Sequence, residues 1–261
     1  MPSKYDQIIE HVFFVHYKRG SKKFDFEREE LRGAAETLDI SVPKNLGDVV
    51  YTYRYRRPLP GKVLETCQES KEWIIRGVGD ARYQFLQVPI AQIEPRAGLY
   101  QTKVPDATPE IVGKYSLTDE QALLAKVRYN RLIDIFTGVA TYSLQNHLRT
   151  KIEGIGQIEI DELYVGISKT GAQYILPVQA KGGSDRLGRI QLEQDIACCA
   201  ARFPELICRP IAAQFMDDDV IAMFELTIDS ETVKILEERH YRLVQASEIT
   251  SDDLATMRRG T

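Results

Sequence analysis

Residues 157–181 read QIEIDELYVGISKTGAQYILPVQAK, and their pattern decides the fold. Apolar and polar side chains alternate along 157–167 and again along 172–181, the period of strands with one covered face. Gly171, between the two arms, supplies the backbone freedom a tight turn needs. An antiparallel hairpin is expected. On its first arm Ile158 and Ile160 share one face, and Glu159 and Asp161 the other. On its second arm Val178 and Ala180 share one face, and Gln179 and Lys181 the other. The hairpin therefore gathers Asp161, Gln179 and Lys181 on one polar surface. Gly182 and Gly183 follow directly and leave room for another backbone to come close.

Working outward, 188–202 has helical spacing, and 207–215 and 219–228 are apolar and β-branched, as strands are. Upstream, Thr118 reads as a helix N-cap with Gln121 as its capping-box partner. A long helix is expected from there towards Thr150, loosened at Gly138. Residues 96–117 are rich in Pro and Gly, lack periodicity, and read as a connector. The domain division is then 1–95, the connector 96–117, and 118–261.

The first domain opens with helical spacing over 5–17 and 25–38, the second stretch with Asp25 as its cap. A turn over 39–44 contains Pro43, and Asn45 caps a third short helix over 46–54. In WIIRGVGDARYQFLQVP (73–89), the Gly77–Asp80 segment suits a turn between two strands. Three helices and a hairpin are the order of a winged-helix module, an α+β variant of helix-turn-helix. Lys44 and Asn45 stand at the start of the expected recognition helix. Arg54, Tyr55, Arg56 and Arg57 follow, preceded by Tyr51 and Tyr53, and such interleaving suits phosphate contacts and stacking. Lys18, Arg19, Lys22 and Lys23 form a second basic cluster. For each of these residues a solvated charged face is the plain alternative.

The polar surface of the central hairpin has a definite chemistry. A carboxylate binds Mg²⁺, a hard cation that keeps several of its waters, and a Gln carbonyl adds a neutral oxygen. A Lys ammonium orients an attacking water and stabilises charge on a phosphate. Asp161 and Gln179 are thus the candidate metal ligands, with Lys181 beside them. Glu159 reads equally as a second acidic ligand or as a solvent-facing residue at the strand start. Glu162 faces the other way and reads as structural. Gln191 and Asp195, one turn apart on the following helix, support the site or form an ordinary exposed face. Gln145, Asn146, His147 and Arg149 cluster just before the hairpin, where His147 is a candidate phosphate contact or proton carrier. Glu120 and Glu153 receive no role. The bland alternative for the whole set is polar residues on an exposed hairpin face.

Asp161 followed by Gln179-Ala180-Lys181 resembles the signature of the PD-(D/E)xK nucleases, with Gln in place of the second acid. The Q-x-K variant is similar to that of Mrr-type restriction enzymes. The order helix, strand, strand, helix, strand over roughly 116–228 is similar to that family's core. The resemblance implies an α/β fold with a mixed sheet flanked by helices, and a Mg²⁺-dependent endonuclease acting on double-stranded DNA. Asp161, Gln179, Lys181, Glu159 and Gln191 would be its catalytic set. With the winged-helix-like domain in front, the expectation is a type II restriction-type enzyme. It would act as a homodimer, because one chain has one site and two strands must be cut. The loss of a charge at Gln179 bears on metal binding. Two other readings stay open, a repair or recombination nuclease and a non-catalytic DNA-binding regulator.

Composition sets broad limits. The 261 residues are 43% hydrophobic and 28% charged, ordinary for a globular protein, and carry a net charge of −4. The first 95 residues are close to neutral, and the excess acid lies in the remainder. No apolar run reaches the ~20 residues of a membrane helix, and Asp6, Glu10 and His11 break the apolar N-terminal patch. A cytoplasmic protein is expected. The four cysteines lack CxxC spacing and read as buried thiols rather than a zinc site.

Overall fold

The computed structural model of the chain describes residues 2–90, 93–115, 119–182, 187–216 and 220–259. It is mixed α and β and divides into two units. The first comprises 1–91, 151–158 and 229–232, the second 92–150, 159–228 and 233–261.

The first unit opens with α1 (Lys4–His16), started by a capping box in which Ser3 and Asp6 satisfy each other's backbone. It continues through β1 (Lys23–Glu27), α2 (Glu30–Thr37) and α3 (Leu46–Tyr51), which runs on as a π-helical turn, Thr52–Arg56. A single turn α4 (Gly61–Leu64) leads to β2 (Lys71–Gly79) and β3 (Arg82–Pro89). The strands form an antiparallel sheet in the order β1-β3-β2. The predicted hairpin is β2 and β3, while the predicted helix over 25–38 is shortened to Glu30–Thr37. Asp25 caps nothing. It lies on β1, where Phe24 and Phe26 alternate with it and pack on the core. The helices cover one face of this sheet. Phe13 of α1 meets Phe24, Trp73 and Phe85 ring to ring, with centroids 5.1–5.2 Å apart.

The second unit begins with β4 (Gln101–Pro105), α5 (Glu110–Tyr115), α6 (Asp119–Tyr129) and α7 (Leu132–Thr137). Then come β5 (Ala140–Ile152), β6 (Gly156–Ile167), β7 (Gln173–Lys181) and α8 (Arg189–Arg202). It closes with β8 (Ile207–Cys208), β9 (Ile211–Phe215), β10 (Val220–Asp229), β11 (Thr232–Val244) and α9 (Ser251–Arg259). The eight-stranded sheet has the order β4-β11-β10-β9-β7-β6-β5, with β8 also on β7. It is mixed: β6 and β7 are antiparallel, while β7 runs parallel to β9 and β4 to β11. Side chains of β7 alternate between two cores. Leu176, Val178 and Ala180 pack with Leu123, Leu124 and Val127 of α6, and Ile175 packs with Cys199 of α8. Helices therefore flank both faces.

Three expectations are corrected here. The helix towards Thr150 ends at Tyr129, because Arg131 adopts a left-handed φ of 51°. A second short helix stops at Gly138, φ 66°, and 140–152 is strand β5. The predicted connector contains β4, which pairs with β11, and α5. Thr118, the predicted cap, lies outside the described residues. The strand predicted over 207–215 is broken by Pro210 into β8 and β9. Among the described residues no helix is long and apolar enough to cross a membrane.

Candidate functional site

The β6–β7 ladder runs from Ile167 opposite Gln173 to Glu162 opposite Val178. Beyond that pair the two strands stop pairing, although both continue. From Val178 to Lys181, β7 pairs with β9 instead. Two side chains bridge the gap. Ala180 N donates to Asp161 Oδ2 at 2.8 Å, and Gln179 Nε2 donates to the Glu159 carbonyl at 3.2 Å. Each satisfies a backbone group that the ladder no longer serves. Asp161 and Gln179 thus stand on the facing edges of a splayed hairpin, as the alternation required.

α8 closes this face. Gln179 is 1% exposed, and its Nε2 also donates to Asp195 Oδ1 at 3.0 Å. Gln191 Nε2 lies 3.5 Å from Gln179 Oε1, while Gln191 Oε1 takes the Gly188 amide at the helix start. Lys181 is mostly buried, with Nζ 3.8 Å from Glu120 Oε1 of α6. Glu159 shares the face of Asp161, but its Oε1 takes Arg149 Nη2 at 3.0 Å. Glu162 points the other way and is fully buried. Its Oε1 takes Arg128 Nε and Ser143 Oγ, both at 2.8 Å, and its Oε2 has no partner among the described residues.

The electrostatics follow from burial. Burial pushes the Asp161 carboxyl above its ordinary value, against the Ala180 amide and the positive charge of Lys181; Glu159 pushes the same way and His147 opposes. Burial lifts Asp195 much further, with Gln179 opposing and Asp161 adding to the rise. Negative charge on Asp161 and Asp195 is thus held at a cost in this largely buried site, which a proton or a cation relieves.

The donor set fits one Mg²⁺. Asp161 and the Oε1 of Gln179 are hard oxygen donors on one face, and Asp195 anchors the Gln amide from behind. That would be one charged and one neutral protein ligand, with waters completing the shell. Among the described residues no three His, Cys, Asp or Glu side chains form a metal-binding group. The four cysteines are free thiols, two buried and two partly buried.

The structure brings together Asp161, Gln179, Lys181 and Gln191. Asp195, paired with Gln191 in the sequence reading, joins them, and the structure adds Glu120, which the sequence left without a role. Only the packing of α6 on β7 brings Glu120 near Lys181, and no local spacing signals it. Gln145, Asn146, His147 and Arg149 lie on β5, not on a helix end.

In the first unit, Lys44 is exposed and Asn45 is used as a cap, its Oδ1 taking Gly47 N at 3.0 Å. Arg56 is exposed, its guanidinium 4.9 Å from the Tyr51 ring. Arg54 lies 5.0 Å from the Tyr55 ring, which meets Tyr51 at 4.8 Å. Arg57 departs from the expectation. Its Nη2 donates to Asp6 Oδ1, the Tyr53 hydroxyl and Ser3 Oγ at 2.6–2.7 Å, so it ties α1 to the π-helical turn. Lys18, Arg19, Lys22 and Lys23 are exposed.

Comparison with family models, with curated proteins and with solved structures gave no match.

Proposed function

We propose that the chain is a Mg²⁺-dependent DNA endonuclease of the PD-(D/E)xK type, a type II restriction-type enzyme. The observation that carries the reading is the splayed β6–β7 hairpin. Asp161, Gln179 and Lys181 converge there with Gln191 and Asp195 behind them and Glu120 beside Lys181. In this reading Asp161 and Gln179 hold the metal, which when bound supplies Lewis-acid polarisation of the phosphate and a more acidic water. Lys181 orients the attacking water and offsets charge on the phosphate, with Glu120 fixing its ammonium. Gln191 and Asp195 keep Gln179 from rotating, so that its oxygen rather than its nitrogen faces the metal.

The first unit supports a DNA-reading role. Its order α1-β1-α2-α3-β2-β3, with sheet order β1-β3-β2, is compatible with the winged-helix-like module expected from the sequence, apart from the inserted turn α4. Arg54, Tyr55 and Arg56 follow α3, and Lys44 precedes it. We take the substrate to be double-stranded DNA and the enzyme to act as a homodimer, one site per strand. The test is incubation of supercoiled plasmid with purified protein and Mg²⁺, then sequencing of the ends. Discrete ends at one sequence support the reading. An alternative, a DNA-binding regulator with an inactive nuclease-like domain, is kept open by Gln179, a neutral residue where the resembling family commonly carries an acid. Sequence-specific binding without any cleavage in Mg²⁺ or Mn²⁺ would select it.

A further inference from the structure

The turn that follows α3 is wider than an α-helix, and its width has a use. Thr52 N donates to the Asp48 carbonyl in the ordinary helical pattern, and Thr52 Oγ1 donates to the same carbonyl at 2.8 Å. Such back-bonding by a threonine hydroxyl bends helices. Past it the hydrogen-bond spacing lengthens, and Arg57 N donates to the Thr52 carbonyl, five residues back, at 3.0 Å. In an α-helix of about 3.6 residues per turn, side chains five residues apart point about 140° away from one another. A π-helical turn brings them over one another instead. Tyr51 and Arg56 are five residues apart, and the Arg56 guanidinium carbon lies 4.9 Å from the centre of the Tyr51 ring.

The turn sorts its aromatic and cationic side chains by side. Inward, Tyr53 is buried, with Arg57 over its ring at 4.9 Å and Asp6 and Ser3 bound to the same guanidinium. Outward, Tyr51 is 43% exposed and stands outside the aromatic core of this unit. Its ring meets Tyr55 at 4.8 Å, and Arg54 lies over Tyr55 at 5.0 Å. Arg54, Tyr55, Tyr51 and Arg56 thus form one continuous stack, with exposed Arg56 at its end. Tyr53 and Arg57 are four residues apart and would meet on an ordinary helix, as would Tyr51 and Tyr55. Only the pair of Tyr51 with Arg56 needs the wider turn. π-helical turns are rare and concentrate at functional sites.

We infer that Tyr51 is a positioning residue for DNA contact, its ring holding the Arg56 guanidinium so that the N–H donors meet a backbone phosphate already ordered. An exposed arginine otherwise loses rotamer freedom when it binds, and a contact arranged beforehand avoids that cost. The inference rests on the DNA-reading role proposed above and deepens it.

The experiment titrates the whole chain with a short random-sequence duplex in a salt series without Mg²⁺. The proteins are wild type, Arg56→Ala, Tyr51→Ala, Tyr51→Leu, Tyr51→Phe, and Tyr51→Ala combined with Arg56→Ala, with thermal unfolding measured on each. Tyr51→Ala and Tyr51→Leu should bind about 3- to 10-fold more weakly, the ordering cost of one long side chain. Phe keeps the ring, so Tyr51→Phe should bind as wild type does. In the Arg56→Ala background, Tyr51→Ala should weaken binding no further, because the side chain it positions is gone. Leucine keeps apolar bulk without the ring and carries the test if alanine loosens the turn. A merely structural Tyr51 would weaken binding by the same factor with or without Arg56. That result overturns the inference while the DNA reading stands, and so does full affinity in Tyr51→Leu or in Arg56→Ala. If wild type binds no duplex at low salt, the DNA-reading role falls and Tyr51 falls with it.

Discussion

Gln179 donates its side-chain amide to Asp195, Nε2 to Oδ1 at 3.0 Å, and both residues are almost wholly buried. The pair explains why a Gln stands where the resembling family commonly carries an acid. A carboxylate at 179 would face Asp195 across a hydrogen-bond distance with no proton donor between them. Burial already pushes Asp195 up, and Asp161 adds to it. We therefore expect Gln179→Glu to destabilise the metal-free protein by about 2–4 kcal/mol, the cost of an unpaired buried acceptor and charge. Gln179→Glu with Asp195→Asn reverses the donor and acceptor and should recover most of that loss. Denaturant unfolding of the two single variants and the double closes the cycle. Additive effects would mean that the two side chains do not interact.

At Asp161 and Lys181, fold and chemistry should separate. Asp161→Asn keeps an oxygen to accept the Ala180 amide, so its unfolding midpoint should stay near wild type. Its Mg²⁺-dependent cleavage should fall by at least about 100-fold, as when a preorganised charge is removed from a transition state. Lys181→Ala should behave alike. Glu120→Gln should slow cleavage by no more than about fivefold, because a part-exposed ion pair contributes up to about 1 kcal/mol. Single-turnover cleavage with DNA binding measured in parallel is the check. Undiminished cutting by Asp161→Asn would remove Asp161 from the site.

The hairpin at 157–181 was legible because its strands carry the alternation that a covered face imposes, and α8 because its apolar spacing is helical. β5 was not. Its side chains are mostly exposed, so no apolar period marks it, and the chain reaches it through left-handed Arg131 and Gly138. β11 escaped for a related reason. Buried Glu238 and His240 hydrogen bond to each other, so polar residues occupy covered positions of that strand. The turn before it has positive φ at Ser230 and Glu231, a tight turn without the Asn-Gly pair that advertises one. The polar trio at Asp161, Gln179 and Lys181 was readable because strand period alone brings it together. Glu120 was not, because only tertiary packing connects α6 to β7.

Gly77 tests a close approach within the first unit. A Cβ built there would clash with the Ile155 carbonyl oxygen and lie 3.5 Å from its carbon, both backbone atoms. Gly77 cannot shift without disturbing β2 pairing at the bulge between Gly77 and Gly79. Gly77→Ala should therefore cost about 1–3 kcal/mol, as overpacking does. Gly33, inside α2, has open space around it. Gly33→Ala should stabilise by about 0.5–1 kcal/mol through the unfolded chain. Chemical denaturation of the two variants side by side gives opposite signs if the approach is as drawn, and a neutral Gly77→Ala would contradict it.

The arginines after α3 should divide by role. Arg57 holds Asp6, Tyr53 and Ser3 together, so Arg57→Ala should lower stability by about 1–3 kcal/mol, the range for hydrogen bonds to charged groups. Burial pushes the Asp6 carboxyl up, but the Tyr53 hydroxyl, the Ser3 amide and hydroxyl, and Arg57 outweigh it and hold it below its ordinary value. A depressed carboxyl contributes stability that is present above its unfolded value, near about 3.9, and is lost as pH falls through the folded value. Asp6→Asn should thus be less stable at pH 7 and lose less on acidification below about pH 4 than wild type does. Arg56 is exposed and stacked on Tyr51, free to meet a phosphate. Arg56→Ala should leave unfolding unchanged and weaken DNA binding, lowering the log–log salt slope by about 0.9 if one phosphate contact is lost. Should Arg56→Ala bind DNA as wild type does, with an unchanged salt slope, the π-helical turn is not part of the DNA surface. A contact to a guanine edge instead would appear as relaxed preference at one base pair, costing about 1–3 kcal/mol on the cognate duplex alone.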